Sequence, residues 1–256
     1  MRTHGEGATQ GRGAAVPPPV TVRDAATVLV TRDAPDGLEV YLVRRHAKAS
    51  WLGDVHVFPG GAVDDADRAA AARGSLLCGS AGAVDPAFAI TAARESFEES
   101  GLLFADRPIA PEPLSAARRA MLEGELTFAQ ALERFDTRVD ASQLRFFSRW
   151  ITPAGVEPRR FDARFFVARV PRDQIAEADA LEVMDGRWMR PLAALAAYER
   201  GEIGMIFPTV KHLERIAPFR SVDELLAFAA AKRIATVQPD VTPHGLAVPP
   251  ELVDAW

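Results

Sequence analysis

The segment from Asp85 to Gly101 (DPAFAITAARESFEESG) is closed at both ends and does most to set what this chain can fold into. Asp85 is a good N-cap, Pro86 suits a first helical position and Gly101 is a natural stop, so the spacing predicts one continuous helix. Upstream, Ala25–Thr31 and Leu38–Arg44 are β-branched, apolar runs separated by Ala34-Pro35-Asp36-Gly37, which predicts a hairpin. A third short strand, Val55–Phe58, runs into Pro59-Gly60-Gly61, whose glycines let the backbone lie close to a ligand. Downstream, strand character returns at 146–152, 161–170 and 187–189. Helices are expected near 112–123, 127–135, 191–199, 208–216 and 221–231. Strands on both sides of a central helix predict an α+β fold, a mixed sheet between helices with extra helices towards the C-terminus.

Composition narrows the function classes. With 30 Lys+Arg against 35 Asp+Glu the net charge is −5, which disfavours general nucleic-acid binding. The sequence has no apolar run long enough to cross a membrane and no apolar export signal, so no membrane partner is expected. The single Cys78 cannot form an internal disulfide, which fits a cytoplasmic setting. Residues 1–20, rich in Gly, Ala and Pro, read as a flexible leader, and 236–256 as a C-terminal tail. Residues 64–84 read as a surface excursion with a short helical turn, leaving 21–235 as one domain.

The chemistry concentrates on Arg94-Glu95-Ser96-Phe97-Glu98-Glu99. On a helix Glu95, Glu98 and Glu99 share one face, and three crowded carboxylates repel one another. A divalent cation offsets that repulsion, and hard oxygen donors suit Mg²⁺ or Mn²⁺ better than zinc. A solvated acidic face is the alternative reading of the glutamates alone.

Phe58-Pro59-Gly60-Gly61, followed by Arg94-Glu95, Glu98-Glu99 and Gly101-Leu102, resembles the box of the Nudix hydrolase superfamily. That box reads Gly, five residues, Glu, seven residues, Arg-Glu, aliphatic, any, Glu-Glu, any, Gly, aliphatic. Ser96 stands at the aliphatic position, and Gly61 to Arg94 spans 33 positions where the box has 14, so about 19 residues are inserted. Asp64, Asp65 and Asp67 compete for the place of the first glutamate. The expanded box, with Arg149–Pro153 (RWITP) and Pro158–Phe166 (PRRFDARFF), resembles the branch containing the peroxisomal coenzyme A diphosphatase.

The resemblance implies a Nudix α/β/α sandwich and Mg²⁺- or Mn²⁺-dependent cleavage of a diphosphate bond in a small nucleoside-diphosphate derivative. Coenzyme A or acyl-coenzyme A is the preferred substrate; ADP-ribose, NADH and nucleotide sugars are alternatives. A non-catalytic Nudix ligand-binding module is the alternative class, and a homodimer is the oligomeric state the relatives suggest. In this reading Glu95, Glu98 and Glu99 hold the metal with the backbone of Gly61, and Glu98 and Glu99 also serve catalysis. Arg94 orients the carboxylates. Gly60, Arg45, Arg159 and Arg160 bind substrate, with Phe161, Phe165 and Phe166 placed to stack on a base. Glu182 is a candidate base or extra ligand, and His56 is expected to be a packed side chain.

Overall fold

The computed structural model describes residues 20–45, 54–178 and 183–256, the side chains of 183 and 184 excepted. Most of the leader, residues 46–53 and Glu182 lie outside the described residues.

Strand β1 (Val22–Ala34) pairs antiparallel with β2 (Gly37–Arg45) through the expected turn. Two short strands follow, β3 (Val55–Val57) and β4 (Gly60–Ala62). Next come α1 (Asp65–Ala72), β5 (Leu77–Cys78), α2 (Pro86–Ser100), α3 (Pro111–Leu122) and α4 (Phe128–Arg134). The chain continues through β6 (Val139–Asp140), β7 (Arg145–Ile151), β8 (Arg160–Arg169), β9 (Val183–Met189) and α5 (Pro191–Glu199). It closes with β10 (Gly204–Met205), α6 (Phe207–Ile216), α7 (Val222–Ala231), β11 (Thr236–Val237), β12 (Asp240–Thr242) and β13 (Gly245–Ala247).

The main sheet runs β10-β3-β2-β1-β8-β7-β11, with β4 added to β1 and β9 to β2. It is mixed: β1 and β8 are parallel, β7 and β8 antiparallel. Alternate residues of β1 and β8 feed two cores on opposite faces, as the period of a strand requires. Ala26, Val28, Val30, Phe166 and Ala168 pack with α2, α3 and α4. Leu29, Phe165 and Val167 pack with α5, α6 and α7. The α+β sandwich expected from the sequence is therefore the observed fold.

The excursion expected at 64–84 is more ordered than the sequence indicated. Asp64 caps α1 by accepting from the Asp67 backbone, and Asp67 returns the bond to the Asp64 N–H, so a complete capping box fixes eight helical residues. Residues set apart in the sequence as a tail pack on the second core: β11 pairs with β7, and Trp256 is 3% exposed against Trp150. No helix among the described residues is long and apolar enough to cross a membrane.

Candidate active site

Helix α2 places the acidic residues. The Asp85 side chain accepts from the Ala87 N–H, Pro86 occupies the first turn, and Gly101 adopts φ +74°, so both helix ends fall where the sequence put them. Between these caps the helix packs on the sheet beneath β4, which brings Glu95 and Glu99 against Gly60 and Gly61. The Gly60 N–H donates to Glu99 Oε2 at 2.9 Å. A Cβ on Gly61 would stand 2.3 Å from Glu95 Oε1, and one on Gly60 would stand 2.5 Å from the Ala26 carbonyl oxygen. Only glycine fits either position.

Arg94 organises the carboxylates. Its Nε and one terminal nitrogen form a two-point pair with Asp67 at 2.8 and 2.9 Å. Its other terminal nitrogen lies 2.9 Å from both Glu95 Oε1 and Glu98 Oε2. Asp67 is 2% exposed and also accepts from the Thr91 hydroxyl at 2.8 Å. Burial disfavours the guanidinium charge, but Asp67, Glu95 and Glu98 outweigh it and raise the Arg94 pKa.

Glu95 is held towards its neutral form. Burial pushes its pKa up to about 7; Arg94 opposes the rise and Glu98 adds to it. Ionising this group in the cation-free protein is therefore unfavourable, and its contribution to stability falls as pH rises from the ordinary carboxylate range towards 7. Cation binding needs the ionised form, so apparent affinity for a divalent ion should climb to about pH 7 and then level off. Metal titrations followed by melting temperature between about pH 5.5 and 8 test this. A flat affinity across that window would contradict it.

Among the described residues no three acidic, His or Cys side chains are already gathered as ligands about one point, because the acids are turned onto Arg94 and Gly60. The residues nevertheless fit a cation. The donors are hard oxygens, Glu95 is buried and reluctant to ionise alone, and Gly61 leaves a cradle that a methyl group would fill. The two glycines should respond differently to alanine. Gly60→Ala meets backbone, so roughly 1–3 kcal/mol of stability should be lost to overpacking. Gly61→Ala meets the end of a side chain, so it should displace Glu95 and lower activity more than melting temperature. Equal effects of the two changes in both assays would refute this division.

On the other side of β4 a cleft of about 350 Å³ crosses the sheet. Its floor is small, with Ala25 and Thr27 from β1 and Ala163 from β8, which leaves room above the strands. Trp150, Phe161, Phe165 and Phe207 supply aromatic walls, and Pro239 and Leu246 complete the lining. The cleft includes Gly60 and Gly61 but none of the three glutamates, so β4 is the partition between the acidic cluster and the cleft.

The sequence candidates divide accordingly. Glu95, Glu98, Glu99 and Arg94 meet at the glycines, and Arg45 and Arg159 line the cleft. Arg160 does not line the cleft: it donates to the Thr152 carbonyl, because adjacent strand residues face opposite ways. His56 is buried as expected, with its ring nitrogens lacking hydrogen-bond partners among the described residues and burial holding its pKa low. Sequence reasoning left Asp67 unassigned, although the signal was present: counted from Gly61, the box's first acid falls on position 67. All the added residues lie between Asp67 and Arg94.

A Gly-Gly strand is thus wedged against an Arg-Glu-Glu-Glu helix, and comparison with known families places the chain. The family described as the NUDT19 Nudix domain matches residues 71–216. The chain belongs to this family. As a Nudix hydrolase it is of a class that generally uses divalent metal ions. It is 26% identical over 274 residues to acyl-coenzyme A diphosphatase NUDT19 of Gallus gallus, covering 83% of this chain and 72% of that one. The proteins of the same name from Xenopus laevis and Homo sapiens are each 25% identical. The alignments cover 74% and 78% of this Nudix chain, and 62% and 66% of those relatives. The crystal structure of a Nudix hydrolase from Alicyclobacillus acidocaldarius is similar, with TM-score 0.68 and 28% identity over 81% of this chain and 96% of that one.

Proposed function

We propose that this chain hydrolyses the diphosphate bond of coenzyme A or an acyl-coenzyme A with Mg²⁺ or Mn²⁺. The observation that carries the proposal is the buried acidic cluster against Gly60 and Gly61, separated from an arginine- and aromatic-lined cleft by one strand, in a chain whose relatives are named acyl-coenzyme A diphosphatase.

In this reading Glu95, Glu99 and the backbone of Gly61 hold the cation, with Glu98 a further ligand or the base. The cation would screen the diphosphate oxygens and acidify water. Gly60 holds Glu99 in place through its N–H, and Arg94 orients Glu95 and Glu98. Arg45 and Arg159 bind substrate oxygens from the cleft side. Water oxygen bonds to one phosphorus as the bridging P–O bond breaks. Glu98 accepts the water proton, directly or through a second water, and two phosphate monoesters leave.

The test is product analysis with each metal over coenzyme A, acyl-coenzyme A, ADP-ribose, NADH and nucleotide sugars. The expected products from coenzyme A are adenosine 3′,5′-bisphosphate and 4′-phosphopantetheine. Cleavage confined to the other compounds would overturn the substrate assignment. No cleavage, with a ligand raising the melting temperature, would make the chain a binding module.

A further inference from the structure

Resting on the proposed reading, we infer that Arg23, with Arg159, forms a subsite for a phosphate monoester on the ribose of the substrate's nucleoside half, and so selects 3′-phosphorylated substrates. Arg23, Arg45 and Arg159 all line the cleft, and none forms an ion pair with a carboxylate among the described residues. Glu157 is the only acid among the described lining residues. This local excess of positive charge belongs to a chain of net charge −5, in which most other arginines of the main sheet are paired, including Arg32, Arg149, Arg164 and Arg169.

The three guanidinium groups occupy two different places. Arg45 ends β2, two residues beyond the partner of Val57, and lines the cleft together with Val57, Gly60 and Gly61, where a diphosphate would meet the acidic cluster. Arg23 lies at the start of β1, paired in register with Phe161, and Arg159 lies two residues before Phe161. On β1 the partner of Gly61 is Ala26, so Arg23 is displaced by three residues, about 10 Å along the strand. A diphosphate engaged at Gly60 and Gly61 is served by Arg45. Arg23 and Arg159 stand beside the aromatic wall of the cleft at Phe161, where a purine would stack. A phosphate held there is attached to the nucleoside and separate from the bond being cleaved.

The experiment compares coenzyme A with its 3′-dephospho form as substrates, and adenosine 3′,5′-bisphosphate with AMP as ligands in melting-temperature titrations. The unmodified chain should favour the 3′-phosphorylated member of each pair. Arg23→Ala should lower the ratio of kcat/KM values roughly tenfold to hundredfold, mainly through KM for coenzyme A, with Arg23→Lys intermediate. Equal KM values for both substrates in the unmodified chain, or an unchanged ratio in Arg23→Ala, would overturn the subsite. If neither substrate is cleaved, the hydrolytic reading fails, while an Arg23-dependent preference for the bisphosphate still supports the subsite and its absence refutes it.

Discussion

Glu99→Gln should lower metal-dependent hydrolysis by at least about 10²-fold, since even partners outside the ligand set cost about 10–100-fold when removed. Glu99 is 5% exposed and accepts from the Gly60 N–H, a bond that the amide oxygen of glutamine can keep. The fold should therefore persist, and the melting temperature without metal should stay within a few degrees of the unmodified chain. What is lost is the negative charge that draws a cation into the cluster. Steady-state turnover and metal-dependent melting shifts should fall together. Near-normal turnover in this variant would remove Glu99 from the ligand set.

Arg94→Ala should produce the largest loss of stability. The Arg94 side chain is 13% exposed and touches Asp67, Glu95 and Glu98, so removing it takes the cation away from the buried carboxyl groups of Asp67 and Glu95. Breaking a buried pair by deleting one partner costs about 3–5 kcal/mol. For a chain of this size that corresponds to a drop in melting temperature of roughly 6–20 °C. Divalent metal should restore part of the loss, because it neutralises the same oxygens. Calorimetry with and without Mn²⁺ measures both effects. A drop of only a degree or two would mean that the acids find other partners.

The elements that were legible in the sequence are those whose signals are local. Asp85-Pro86 and Gly101 fixed the ends of α2 because capping depends on a few neighbouring residues, and helical spacing then brought the three glutamates together. The cleft depends on partners far apart in the chain. Arg23 is an ordinary polar residue at a strand start, and only the parallel register with Phe161 places it in the site. Pro239 reaches the cleft lining just after β11 joins β7 beside Trp150, a pairing that composition does not signal. Arg160 was grouped with Arg159 by adjacency, whereas strand alternation sends it to the Thr152 carbonyl.

The residues added between Asp67 and Arg94 leave and re-enter the fold at two ends of one ion pair. Their interior is tied down separately, by Leu76 and Ala81 in the core and by β5 pairing with β6. Loop-closure entropy grows only slowly with length, about 0.6 kcal/mol per doubling, so the chain can lengthen here at small thermodynamic cost. The box is thus a meeting point in space, tolerant of what its connecting thread carries. That makes the exposed bend around Gly74, where an added side chain would meet nothing within 4 Å, a natural place to attach a reporter or graft a foreign peptide without disturbing the acids it connects.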